Sequence, residues 1–141
     1  MQYVYHDSQT EGILHLTCQE PTFRQSFRED YRNRLLTIVW NTGPDQMITI
    51  DGINYLFSGQ SILPLMINQS YVFEEPELVV AWQFNREFYC IVDHDKEVSC
   101  VGFLFYGATI PMFIALDQSE QTKFDALLRV FYDEFSIQDT I

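Results

Sequence analysis

Apolar and polar positions alternate in short runs along most of the chain, and only its last quarter changes period. In the middle, Leu78 to Tyr106 reads as three apolar, aromatic and β-branched runs separated by Asn85-Arg86 and by the polar cluster Asp93 to Glu97. Runs of this kind with turn residues between them predict consecutive hairpin strands, a β-meander. In the first run Leu78, Val80, Trp82 and Phe84 share one face, while Val79, Ala81, Gln83 and Asn85 share the other. The first face is the bulkier, and a barrel or sandwich interior is expected to receive it.

Toward the amino terminus, Gly12 to Cys18 puts Ile13, His15 and Thr17 on one face and Leu14, Leu16 and Cys18 on the other, which predicts a half-buried strand near an edge or barrel end. His15 is expected at a surface or rim, because no other His lies nearby in sequence to share a metal. Arg34 to Asn41 is a second strand, with Leu36, Ile38 and Trp40 on one side, and Asn41 to Asp45 breaks it. Met47 to Ile50 and Ile53 to Phe57 flank Asp51-Gly52, the pair suited to a type I′ hairpin turn because both positions take positive φ. Ser58-Gly59 leads into Ser61 to Leu65, where Pro64 predicts an edge strand or a strand end. Gln69 to Phe73 follows, then the acidic elbow Glu74-Glu75-Pro76-Glu77. Strands at this spacing leave no room for crossover helices and predict a mainly β fold, a small antiparallel barrel or double-sheet jelly roll.

Two segments depart from that pattern. Pro21 to Arg34 holds four of the eight basic residues, and Arg24, Arg28 and Arg32 recur every fourth position beside Phe23, Phe27 and Tyr31. That spacing suits a short helix or an irregular flap. Its arginines are expected to form a solvated face paired with surplus carboxylates, the alternative being a cationic rim for an anionic ligand. Beyond Ile114, Asp117 with Glu120 predicts a helix-capping box, and Phe124, Leu127, Leu128, Phe131 and Phe135 fall in one arc at about 3.6 residues per turn. Asp125 and Arg129 lie on the opposite arc as an i,i+4 pair. The five apolar residues are expected either to lid the β core or to form the contact of a homodimer. The chain thus divides into a β domain over 1–116 and a terminal linker or dimerisation helix and tail over 117–141.

Composition narrows the partners. With 141 residues the chain has the size of one core, and a net charge of -12 argues against this chain alone holding a nucleic-acid backbone, which requires clustered cations. The start carries no basic stretch followed by an apolar segment and the Cys count is three, so a cytoplasmic setting is expected. Val98 to Leu116 carries no charge over 19 residues, but Gly102, Gly107 and Pro111 punctuate it, predicting buried strands and a turn and no membrane span. Cys90 and Cys100 lie symmetrically about Asp95 and are expected to be neighbouring free thiols, the alternatives being a redox-sensitive disulfide and a zinc site. A zinc site with His94 and Asp93 or Asp95 would lack the compact ligand spacing.

The succession RLLTIVWNTG, ITIDGINYLF, ILPLMINQSYVFEEPELVVAWQFNREFYCIVDHDKEVSCVGFLFYG and DALLRVFYDEF resembles the amino-terminal cupin-like sensor half of bacterial AraC-type transcription regulators, from about Arg34 to Phe135. The resemblance implies a cupin barrel that senses a small-molecule effector or mediates dimerisation. It also implies that DNA is read by helix-turn-helix units outside these residues. The His-x-His and trailing His of enzymatic cupins are missing: Thr49 and Asp51 stand in the first motif region, and Met66 and Gln69 in the second. No catalytic residue, metal or other cofactor is therefore expected, and no Ser-His-Asp order or phosphate loop offers another catalytic route. Trp40, Tyr55, Gln69, Trp82 and Arg86 are the expected ligand-binding residues at the barrel mouth. The alternatives are a cupin-type metalloenzyme using Asp51, His94 or other scattered ligands, and a ligand-free dimerisation module.

Overall fold

The Asp51-Gly52 turn is the point about which the strands are arranged. A computed structural model describes residues 1–25, 35–88 and 111–139. Its strands are β1 (Gln2–His6), β2 (Ile13–Cys18), β3 (Arg24–Gln25), β4 (Leu36–Asn41), β5 (Gln46–Ile50), β6 (Ile53–Phe57), β7 (Ser61–Leu65), β8 (Tyr71–Phe73), β9 (Val79–Phe84) and β10 (Ile114–Ala115). The helix α1 (Gln118–Asp139) follows. Asp51 and Gly52 have φ of 50° and 84°, the two positive values a type I′ turn needs, and β5 pairs β6 across them. Outward from this hairpin each strand pairs with its mirror image in sequence: β4 with β7, β3 with β8, and β2 with β9. The nested pairs alternate between two antiparallel sheets, ordered β1-β2-β9-β4-β7-β10 and β3-β8-β5-β6. A long hairpin rolled over in this way is a double-sheet jelly roll. The ladders of the described residues keep the two sheets separate, so the fold is a β-sandwich with a C-terminal helix, not a closed barrel.

Three layers follow from the two faces of the larger sheet. Between the sheets, Val39, Leu63, Leu65, Val79 and Ala81 meet Phe23, Ile48, Ile50, Phe57, Tyr71 and Phe73. On the opposite face, Leu14, Leu16, Cys18, Leu36, Trp40, Val80, Trp82 and Phe84 are covered by Leu116 and by Phe124, Leu128, Phe131, Tyr132 and Phe135 of α1. The bulky face of β9 therefore does not line the sandwich interior, as its size led one to expect; it lies under the helix. Small Val79 and Ala81 face inward because the smaller sheet already supplies the large rings there, Phe57, Tyr71 and Phe73.

Local chemistry explains the remaining elements. Asp117 and Glu120 form the expected capping box: the Glu120 amide donates to Asp117 Oδ1 (2.8 Å) and the Asp117 amide to Glu120 Oε1 (3.0 Å). Of the segment Pro21 to Arg34, the described part is a turn at Pro21-Thr22 followed by Phe23 and the strand β3; Phe23 and Gln25 point inward at period two, and Phe23 stacks on Phe73 at 5.6 Å. β7 is not an edge strand, but β10 pairs only with Ser61 and Ile62, so Pro64 lies beyond that pairing. β1, which the sequence reading passed over, is an edge strand whose Tyr3 packs on Tyr132 and Phe135. Phe27, Arg28, Tyr31, Arg32, Arg34, Cys90, His94, Cys100 and the rest of the predicted meander lie outside the described residues. No helix among the described residues is long and apolar enough to cross a membrane.

Candidate functional site

The inter-sheet space is lined mostly by apolar side chains, with buried polar residues at both ends: Asn41, Gln46 and Ser61 at one, and a larger group at the other. Inward positions of β2 carry His15 and Thr17, β9 carries Gln83, β4 carries Thr37 and β3 carries Gln25. Thr17, Thr37 and Gln25 are buried at 3%, 0% and 3% exposure. Buried polar groups destabilise a core unless hydrogen-bonded, so each of these positions needs a partner. Gln83 Nε2 donates to Thr37 Oγ1 (3.2 Å) and to the Tyr71 hydroxyl (3.3 Å), and Thr37 and Tyr71 hydroxyls meet at 3.3 Å. Gln25 Nε2 donates to the carbonyls of Ile67 (3.4 Å) and Gln69 (2.5 Å). Gln2 Nε2 reaches Thr17 Oγ1 and His15 Nδ1, both at 3.4 Å.

Of these groups, Gln2, His15, Thr17, Gln25 and Gln83 open onto a pocket of about 300 Å³, whose wall also includes Phe23, Glu20 and Arg24. Its lining is rich in neutral donors and acceptors beside one aromatic ring. Burial holds the His15 imidazole below its usual pKa and so favours the neutral ring, which has one donor and one acceptor. Hydrogen bonds from the Thr22 hydroxyl and amide lower the Glu20 carboxyl, which also faces the N-terminal amine at 3.6 Å. What the arrangement offers chemically is multidentate hydrogen bonding. Among the described residues no group of three or more His, Cys, Asp or Glu is placed to hold a metal ion.

The residues expected at the mouth are dispersed. Trp40 and Trp82 stack at 6.4 Å and 13° on the helix side of the larger sheet, with Phe124 against both. Tyr55 packs beside Phe113 at the far end of the sandwich. Gln69 shapes a turn, its Oε1 accepting from the Met66 amide at 2.8 Å, and touches the polar network only through its carbonyl. Arg86 is exposed in the turn after β9. Asp51 sits at the hairpin tip, where Oδ1 accepts from the Ser70 amide (2.8 Å) and hydroxyl (3.2 Å). Sequence reading missed Thr17, Gln25, Thr37 and Gln83 as a group. The signal was present as polar residues at inward positions of otherwise apolar strands, but the partner strand was needed to show that they converge.

On α1, Phe124, Leu128, Phe131 and Phe135 all pack on the chain's own sheet, the covering role considered for them. Leu127 stands apart from them, 43% exposed, with Val130 and Ile137 also outward at 55%. Compared with known proteins, the chain matches no family model, no curated protein and no solved structure.

Proposed function

We propose that this chain is a small-molecule recognition domain, the sensor part of an AraC-type regulator, with its effector seated in the polar pocket between the sheets. One observation carries the reading: the inward faces of β2, β3 and β9 turn polar together around a pocket whose volume, about 300 Å³, falls in the small-molecule range. The lining is rich in amide and hydroxyl groups, its charged members Glu20 and Arg24 being of opposite sign, and it favours a ligand without net charge that bears several hydroxyl or amide groups, with Phe23 as its apolar wall.

Thermal shift against a panel of neutral polyols, sugars and small amides tests this. A compound that raises the Tm of the unmodified chain, and loses that effect in the near-isosteric Thr17→Val and in His15→Leu, supports the pocket. A panel with no such compound, or an effect unchanged in both variants, rejects it. The AraC-type part of the reading is tested by the reading frame: basic helix-turn-helix units following residue 141 support it, and a different kind of domain there removes it.

Outward exposure of Leu127, Val130 and Ile137 favours a second role, contact of α1 with a second copy of the chain. Leu127→Asp should then shift sedimentation toward monomer while leaving the intrachain helix packing intact. An unchanged dimer would exclude this stripe as the contact.

A further inference from the structure

His15 of β2 and Gln83 of β9 are direct partners in the antiparallel ladder, and both belong to the wall of the polar pocket. Directly opposed residues hold their Cβ atoms about 5 Å apart on one face, so both side chains can reach one ligand group. Each has its polarity set by neighbours. Behind Gln83, the Thr37 hydroxyl lies 3.3 Å from the Leu35 carbonyl, which can only accept, so Thr37 donates there. The Thr37 oxygen then accepts from the Tyr71 hydroxyl at 3.3 Å and from Gln83 Nε2 at 3.2 Å. The second Gln83 N–H goes to the Tyr71 oxygen at 3.3 Å. Both amide hydrogens are thereby used, and Gln83 Oε1, which has no hydrogen bond among the described residues, is the atom left for a ligand. At His15, Nδ1 lies 3.4 Å from Gln2 Nε2. An amide nitrogen donates and does not accept, so Nδ1 is the acceptor and the neutral ring carries its hydrogen on Nε2.

The pocket therefore sets a fixed acceptor beside a fixed donor. We propose, resting on the pocket reading above, that the ligand group read by this pair is a cyclic secondary amide, its N–H donating to Gln83 Oε1 and its C=O accepting from His15 Nε2. Two arguments select a ring amide over a polyol or an open-chain amide. A hydroxyl donates or accepts by rotating, so a polyol site needs no fixed polarity, whereas the relay from the Leu35 carbonyl through Thr37 and Tyr71 fixes that of Gln83. In an open-chain amide the favoured trans form points N–H and C=O in opposite directions, while a small ring locks the cis form and puts both on one edge. Phe23 supplies an apolar wall for the rest of the ring.

δ-Valerolactam and the larger dihydrocarbostyril are the probes. Their lactones, δ-valerolactone and dihydrocoumarin, replace N–H by O in the same ring, and N-methylacetamide is the open-chain trans amide. Binding is read by thermal shift and by saturation-transfer NMR. At least one lactam should bind saturably and about three- to tenfold more tightly than its lactone, the range of one net hydrogen bond. Gln83→Leu, with its fold checked by circular dichroism, should bring that ratio close to one. Thr37→Val is near-isosteric and outside the pocket wall, and it frees the Gln83 amide to turn over. It should lower the same ratio while leaving lactone affinity within about twofold, whereas damage to the fold would weaken both ligands alike. A lactam no tighter than its lactone or than N-methylacetamide, or an unchanged ratio in Gln83→Leu, would overturn the inference. Saturable binding of myo-inositol with both lactams silent would overturn it and leave the pocket reading standing; silence of polyols, sugars and amides alike would remove both.

Discussion

Trp40 and Trp82 are neighbours on one sheet face, stacked at 6.4 Å and exposed by only 2% and 6%, yet their indole N–H groups have opposite fates. Trp40 Nε1 donates to Gln60 Oε1 at 3.1 Å. Trp82 Nε1 is buried with no partner among the described residues. Trp→Phe at either site removes the same atoms, so the packing loss, about 1–2 kcal/mol, is common to both and cancels in the comparison. Trp40→Phe also forfeits a hydrogen bond with a net worth of about 0.5–1.5 kcal/mol. Trp82→Phe instead releases a desolvated donor that destabilises the folded state by about 1–3 kcal/mol. Gln60 is only half-buried and water can rehydrate it, which places the gap toward the lower end, about 2 kcal/mol with Trp40→Phe the less stable. Urea unfolding followed by far-UV circular dichroism measures both. Equal midpoints, or a Trp82→Phe chain less stable than Trp40→Phe, would refute the reasoning.

Three further outcomes follow from the same contacts. Asp117→Ala removes one half of the capping box of α1 and should destabilise by about 1 kcal/mol, seen as a lowered Tm; no change would mean the box does not hold the helix start. Gly59→Ala brings a Cβ to 2.6 Å from the Gly43 carbonyl oxygen, a backbone atom, and should destabilise by about 1–3 kcal/mol in urea unfolding, whereas tolerance would mean the two loops separate easily. Burial raises the Cys18 thiol above its ordinary 9.0, with the Tyr132 hydroxyl bond at 3.2 Å opposing the shift. Its stabilising contribution is therefore full below pH 9 and lost as pH rises further, because the unfolded thiol ionises first. Thermal melts from neutral to strongly alkaline pH should show a shallower decline in Cys18→Ala, and parallel declines would contradict the assignment.

Sequence periodicity made the strands legible and left their partners obscure. The β5–β6 hairpin could be read from Asp51-Gly52 alone because positive φ at two adjacent residues is a local demand. The helix start was legible for the same reason, its cap and its apolar arc being contained within a few turns. Which face of β9 pointed at which layer was not legible. Val80, Trp82 and Phe84 look like an interior wall, and they are one, but what covers them is α1, more than thirty residues later in the chain. The candidate site was hidden for a related reason. Gln83 and His15 lie far apart in sequence yet face each other directly in the β2–β9 ladder, so convergence of polar residues is a property of register. Trp40 and Trp82 were singled out for their size, but size marks core as readily as it marks a binding wall.

On the sensor reading, a ligand between the sheets must alter something that a following domain or a second copy can detect. Strands β4 and β9 are poor candidates for that moving part. They pack on both faces, and close-packed interiors do not deform gradually. Helix α1 is different: of its described sheet-facing residues only Phe135 is buried, while Phe124, Leu128, Phe131 and Tyr132 keep partial exposure. A helix docked through one aromatic layer can hold two discrete positions on a rigid sheet, which coupling between distant sites requires. β9 connects the two regions through alternate side chains, with Gln83 in the polar pocket and Trp82 against Phe124 and Phe131. Occupancy of the pocket would reach the helix through the position of β9 as a whole, and the orphaned Trp82 N–H marks where that contact is least tightly satisfied.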